Sequence, residues 1–351
     1  MRTSFAAIFV LTLFLGTCGW AAPTPASVPV VGAAEPLVWP KSPEPARIRY
    51  ECALSGPKDM GIAKSLLRRL IDALSGGVDE RFVRPTGVAE RDGVIYVADP
   101  GAHALWILDA GRRRSTKVVE VADLMLVSPV AVAVRPDGAV FVADTGLKKV
   151  FLVARDGTLM RVAAQDNMER PAGVAYDAQT QQLYVADAGS DRIAVFGPTG
   201  ELTRAWGSGG DRDGDFNHPT HLAMDSSGTL LVVDALNFRI QAFNRTGGFL
   251  WKFGHQGDGS GKFAAPKGVA ADSEGHVYVV DALFDAVQIF DHDGTLLLGF
   301  GETGTQAGQF WLPGGLFINA DNEIFVADGY NRRVQVFRYG EGSASSCQGG
   351  R

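Results

Sequence analysis

Apolar residues in this chain come in short runs, and the runs recur in a fixed order. A proline opens each unit, an apolar stretch follows, a turn interrupts it, and a second apolar run ends in aspartate. The copies are PTGVAERDGVIYVAD (Pro85–Asp99), PVAVAVRPDGAVFVAD (Pro129–Asp144), PAGVAYDAQTQQLYVAD (Pro171–Asp187), PTHLAMDSSGTLLVVD (Pro219–Asp234), PKGVAADSEGHVYVVD (Pro266–Asp281) and PGGLFINADNEIFVAD (Pro313–Asp328). Their aspartates step by 45, 43, 47, 47 and 47 residues. A period in the forties filled with strand patterns predicts the blades of a β-propeller. Such a disc serves equally as an enzyme or as a docking surface, so the repeat does not by itself name an activity.

Each unit predicts four strands. The stretch after the proline is the first and the run into aspartate is the second. The third covers Leu105–Leu108, Val150–Val153, Ile193–Phe196, Ile240–Phe243, Val287–Phe290 and Val334–Phe337. The fourth covers Thr116–Val121, Thr158–Ala163, Leu202–Trp206, Phe249–Phe253 and Leu296–Phe300. Asp-Gly, Ser-Gly and Thr-Gly pairs supply the tight connections. The sixth unit has no fourth strand, because after Phe337 only RYGEGSASSCQGGR remains. A spare alternating segment, Arg47–Leu54, precedes the first unit and is expected to complete the last blade, which removes an open edge. Next to it, Met60–Leu74 places Ile62, Leu66, Leu67, Leu70, Ile71 and Leu74 on one side. That spacing predicts a short amphipathic helix packed on the propeller, with a membrane-surface or partner helix as the other reading.

These residues resemble the NHL repeat over roughly 81–339. The likeness is clearest in NHPTHLAMDSSGTLLVVDALNFRIQAF and LPGGLFINADNEIFVADGYNRRVQVF. The spacers GSGGDRDGDF, GHQGDGSGKF and GETGTQAGQF resemble that family's glycine-rich linker. The resemblance implies an all-β, six-bladed NHL propeller. The asparagine three residues after the repeat aspartate survives only as Asn237 and Asn331; Ala102, Leu147, Ser190 and Phe284 replace it elsewhere. Arg192, Arg239 and Arg333 keep the family's basic position, while Ala104 and Ala286 do not.

At 351 residues the chain accommodates one large all-β domain. A net charge of −6 argues against nucleic acid, whose phosphates need a basic face. Residues 1–21 read as an export signal: Arg2 is the positive start and Phe5–Leu15 is too short to span a membrane. Cleavage after Ala21 is one exit. Lipidation of Cys18, in Leu15-Gly16-Thr17-Cys18, is the other, and would be the chain's only membrane attachment. Residues 22–46, rich in Pro and Ala, read as a linker and 340–351 as a tail. An exported monomer, periplasmic or on the outer envelope, is therefore expected. Cys52 and Cys347 are the remaining cysteines, and a disulfide between them would staple the chain ends.

The six aspartates read as structural, each accepting hydrogen bonds from the turn that follows. In a four-stranded blade alternate loops share a face, so the loops before the prolines and after the aspartates lie together. The candidate binding set on that face is His103, Lys148, Phe238, Phe284, Trp311, Tyr330 and Arg332, which vary while the framework repeats. Mixed charge with aromatics fits a protein or surface polymer as partner. His218 and His221 flank Pro219, and His221 stands where Gly87, Gly173, Gly268 and Gly315 stand in other copies. A metal at His218 and His221 would need a third or fourth ligand, and ordinary surface histidines are the favoured reading. In the family's amidating lyases, zinc-binding histidines directly follow the blade proline; here Thr86, Val130, Ala172, Thr220, Lys267 and Gly314 do. Asp211, Asp213 and Asp215 invite calcium but have no closing glutamate. No cofactor is expected. The reading favours a non-enzymatic binding module; the alternative is a metal-assisted lyase or lactonase around His103, His218 and His221.

Overall fold

The computed structural model describes residues 36–62, 80–121, 123–164, 168–340 and 347. Six antiparallel sheets stand in a ring, their inner strands in contact from each blade to the next and from the sixth back to the first. Those inner strands are Gly87–Arg91, Pro129–Val134, Pro171–Asp177, Pro219–Met224, Pro266–Ala271 and Leu316–Ile318. Blades 1 to 5 have four strands each in chain order, and the second and third strands are buried on both sides. Between blades lie separate apolar cores. Tyr96 and Ile107 meet Val140 and Phe151 between blades 1 and 2, and Tyr184 and Val195 meet Val232 and Phe243 between blades 3 and 4.

Blade 6 draws its fourth strand from the other end of the chain. Ile48–Leu54 pairs with Arg333–Tyr339, Tyr50 opposite Phe337 and Leu54 opposite Val334. Cys52 and Cys347 form a disulfide with Cα atoms 6.1 Å apart. Two expectations need correcting. The segment read as linker to residue 46 contains a fifth strand, Val38–Trp39, which pairs with Ile48–Arg49. Trp39 holds it there: its ring lies 5.7 Å from Phe300 and 5.8 Å from Phe337. The outer strand of blade 1 is Arg114–Val118, not Thr116–Val121. Glu120–Val121 turns away to pair with Leu124–Met125, because no glycine-rich spacer carries the chain to blade 2. The helix expected over Met60–Leu74 lies outside the described residues beyond Ile62. A 3-10 turn, Pro57–Met60, precedes it, and Met60 and Ile62 enter the core between blades 6 and 1. Among the described residues no helix is long and apolar enough to cross a membrane.

The repeat aspartates are buried in all six blades. They accept from the following turn, as at Ala102 to Asp99 (3.0 Å) and Leu147 to Asp144 (3.0 Å). They also accept from the loop that enters the same blade, a role not anticipated. Val83 and Arg84 donate their N–H groups to Asp99 at 2.7 and 2.9 Å, and Val127 and Ser128 to Asp144 at 2.8 and 3.0 Å. Glu169 and Arg170 reach Asp187, Asn217 reaches Asp234, Ala264 and Ala265 reach Asp281, and Trp311 reaches Asp328. Blades 4 and 6 extend this into a full network. Arg239 Nε pairs with Asp234 at 2.7 Å, and its Nη atoms donate to the carbonyls of Asp211, Arg212 and Asp215 at 2.7 to 2.9 Å. Arg333 does the same between Asp328 and the carbonyls of Thr305, Gln306 and Gln309. Asn237, Asn331, Gln241 and Gln335 fill the remaining acceptors. Each spacer closes on a buried phenylalanine, Phe216, Phe263 or Phe310. At Gly207 (φ 94°) a Cβ would stand 2.4 Å from the Phe216 ring, so no larger residue fits there.

The inner strands enclose an axial cavity of about 140 Å³. Its lining is aliphatic except for Tyr176, His221, Met224 and Phe317. Small residues let the inner strands meet: a Cβ on Gly173 would lie 2.9 Å from the His221 Cα, and one on Gly315 would lie 3.1 Å from the Gly87 Cα. His221 is the one basic side chain of the cavity lining. It keeps some surface, but that surface faces the cavity, so the imidazole is desolvated and its pKa falls to about 4.

Four outcomes follow for stability. Asp234→Ala leaves Arg239 buried without its counter-charge and should cost about 3–5 kcal/mol in urea unfolding. Asp293→Ala, in an exposed turn, should stay within about 0.5 kcal/mol. His221 is neutral in the native state but protonates in the unfolded chain near pH 6.5. Stability should therefore fall as pH drops from 6.5 towards 4, by about 3 kcal/mol at most, and His221→Gln should remove that part of the slope. Reducing the Cys52–Cys347 bond should cost about 2–4 kcal/mol, read from the urea midpoint; free thiols in oxidised, denatured protein would contradict the bond.

Candidate functional site

The loops before the prolines and after the aspartates share one face. In each post-aspartate loop the fourth residue sits in the left-handed region: His103 (φ 48°), Lys148 (55°), Asp191 (49°), Phe238 (53°), Asp285 (49°) and Arg332 (58°). One such residue outside glycine is unusual, and six at equivalent places define a turn that the fold requires. The turn aims each side chain at the next blade. His103 donates from Nδ1 to the Val127 carbonyl at 2.6 Å, and Lys148 pairs with Glu169 at 2.9 Å. Asp191 accepts the His218 N–H and Asp285 the Leu312 N–H, both at 2.7 Å. Arg332 Nε donates to the Phe82 carbonyl at 3.1 Å, closing blade 6 onto blade 1. Phe238 packs against the core shared by blades 4 and 5. Of the candidate binding residues, His103, Lys148, Phe238 and Arg332 thus have contacts across blade boundaries.

The side chains left without such contacts are apolar. Trp311 is 48 % exposed and Tyr330 52 %, and their rings lie 5.9 Å apart at 34°. Both are fixed from below: the Trp311 N–H donates to Asp328 at 2.9 Å and the Tyr330 N–H to the Trp311 carbonyl at 3.3 Å. Leu236 and Leu283 stand out from the loops of blades 4 and 5, 55 % and 64 % exposed, and Phe284 is half-buried beside Leu283. Val83 and Val127 are exposed in the entry loops of blades 1 and 2. Leu283, Val83 and Val127 were missed in the sequence. The available signal was an apolar residue directly after the buried Ala282, where the loop has no core left to fill.

The histidines and acidic spacer make no metal centre. His218 is half-buried, and burial, with Arg170 and Lys267 nearby, lowers its pKa. His221 looks into the axial cavity instead of joining the loop face. Among the described residues no three His, Cys, Asp or Glu side chains cluster as metal ligands. In the DRDGD segment the Arg239 guanidinium takes the backbone carbonyls of Asp211, Arg212 and Asp215. Asp213 pairs with Lys252, and Asp215 accepts the Ser208 hydroxyl at 2.8 Å. Cys18, the candidate lipidation site, lies outside the described residues.

Comparison with known proteins places this arrangement. Residues 310–337 match the NHL repeat. No curated protein matches the sequence of the chain. Among solved structures, an auxiliary nutrient binding protein from Bacteroides thetaiotaomicron aligns over 74 % of this chain and 70 % of its own, at 14 % identity and a TM-score of 0.58. A catalytically inactive virginiamycin B lyase from Staphylococcus aureus, with quinupristin, covers 74 % and 97 % at 12 % identity and 0.56. A chain of a nidogen–laminin complex covers 70 % and 86 % at 20 % identity and 0.52. At these identities the likeness is one of fold. Six copies of the repeat framework, closed into one ring, make this chain a six-bladed β-propeller of the NHL-repeat type.

Proposed function

We propose that this chain is an exported, non-enzymatic binding module that presents its loop face to a protein or surface polymer. The observation that carries this reading is the Trp311–Tyr330 pair, exposed yet held by the buried Asp328 beneath it. Aromatic side chains carried on a fixed backbone leave less to order on binding, and such residues dominate interface energies. Leu236, Leu283 and Phe284 extend the apolar surface over blades 4 and 5. Export is supported by the signal-like residues 1–21 and by a disulfide suited to an oxidising compartment. A nutrient binding protein among the structural relatives is compatible with a binding role. The alternative, a metal-assisted lyase or lactonase around His103, His218 and His221, has less support. The His103 ring is committed to the Val127 carbonyl, and His221 is turned to the axis.

Trp311→Ala with Tyr330→Ala should abolish capture of the partner from the native envelope fraction, each change costing about 2 kcal/mol or more of binding. The melting profile should barely move. Asp293→Ala and Asp321→Ala, on the opposite face, should leave capture intact. Loss of capture in the second pair alone would place the working surface on the turn face. A turnover removed by His218→Ala and His221→Ala, with both pairs silent, would favour the enzyme.

A further inference from the structure

On the turn face, opposite the loops, two arginines meet in the cleft between blades 2 and 3. Arg135 opens the Arg-Pro-Asp-Gly turn of blade 2. Arg161 lies on the outer strand of the same blade, opposite Leu152. Tyr176, Gly200 and Glu201 of blade 3 form the other wall. The Arg135 guanidinium stands 6.0 Å from the Tyr176 ring centroid. Gly200, at φ 93°, leaves the room that Arg161 takes: a Cβ there would stand 2.6 Å from Arg161 Nη1.

Each guanidinium group has a buried nitrogen without an acceptor. Arg135 Nε and Arg161 Nη1 are buried with no hydrogen-bond partner. Arg135 spends Nη2 on Asp137 at 2.9 Å. Arg161 has no ion pair among the described residues, and the nearby Glu201 carboxylate is engaged with the Thr199 N–H and hydroxyl. The next blade supplies an internal comparison. Arg204, opposite Val195, occupies the same place on the outer strand of blade 3. Its Nε is likewise buried without a partner, but its Nη2 finds Gln182 Oε1 at 2.9 Å, Tyr184 Oη at 3.3 Å and the Arg245 carbonyl. Blade 2 offers Arg161 none of these. Burial, and after it the charge of Arg135, lowers the Arg161 pKa, as expected where two cations share a partly dry cleft. Leaving buried N–H donors on a cation unfilled is costly, and a bidentate oxyanion supplies the missing acceptors.

We infer that this cleft binds a doubly charged oxyanion, a phosphate or sulfate group, between Arg135 and Arg161. The site is on the opposite face from Trp311 and Tyr330 and stands or falls independently of them. The test is calorimetric titration of the full chain with inorganic phosphate, sulfate and glycerol 3-phosphate, each against sodium chloride at equal ionic strength. The expected result is saturable binding at one site, weakened at least tenfold in Arg161→Met and unchanged in Arg204→Met. Arg161→Met should also melt at or above the wild-type temperature without oxyanion, because it removes a cation whose buried Nη1 has no acceptor. Arg161→Lys, which keeps the charge and loses the fork, should weaken binding several-fold and serves if the Met variant does not fold. Binding of glycerol 3-phosphate as tightly as phosphate would mean that the cleft accepts a group carried on a larger molecule. Binding of the inorganic ions alone would mean a free ion. Absence of saturable binding by all three, or wild-type affinity in both Arg161 variants, would overturn the inference.

Discussion

One buried carboxylate per blade holds the loop face in place. It ends the second strand, accepts N–H groups from the loop that brought the chain into the blade and, in most blades, accepts from the turn that leaves. Those donors would otherwise be unpaired beneath the surface, at a cost of about 1–3 kcal/mol each. Where asparagine, arginine and glutamine join it, as around Asp234 and Asp328, the same carboxylate also gathers in the glycine-rich spacer. The loop face therefore inherits its geometry from groups that a partner never touches. The exposed apolar side chains on top are free to differ, while those at the fourth position, such as Asp191, Asp285 and Arg332, tie each loop to the next blade.

The blades were legible in the sequence because period, proline, turn and aspartate all pointed to the same frame. Even the closing strand could be placed, since Tyr50, Cys52 and Leu54 alternate with polar neighbours. Val38–Trp39 could not: three residues between prolines carry no period, and the pairing with Ile48–Arg49 and the Trp39 contacts with Phe300 and Phe337 make two of them a strand. The candidate site was half legible. Trp311 and Tyr330 stood out as aromatics in loops. His103, Lys148 and Arg332 looked like free surface because nothing in a sequence says that the fourth residue after the aspartate is left-handed and turned to the next blade. Arg161 was invisible for a related reason. An arginine on an outer strand reads as solvated until the absence of its acceptors is known.

Guanidinium groups tie the glycine-rich spacers of blades 4 and 6 to the sheet. Arg239 gathers three carbonyls and a carboxylate around one planar cation, and Arg333 repeats the arrangement two blades later. The fork geometry suits this, because its donors diverge in one plane and stay charged at any physiological pH. The Asp211–Asp215 segment is thus folded by its backbone carbonyls around an internal cation, while the Asp213 and Asp215 carboxylates serve Lys252 and Ser208.

The disulfide gives the ring a property that strands alone do not confer. Cys52 and Cys347 are separated by 295 residues, so the covalent loop they close contains the six blades. A single protease cut in any exposed turn between them opens the polypeptide but releases no fragment, because the two pieces remain joined through sulfur as well as through the sheet of blade 6. Outside the cell, where proteases are common and reductants scarce, a nicked disc would continue to present an intact face.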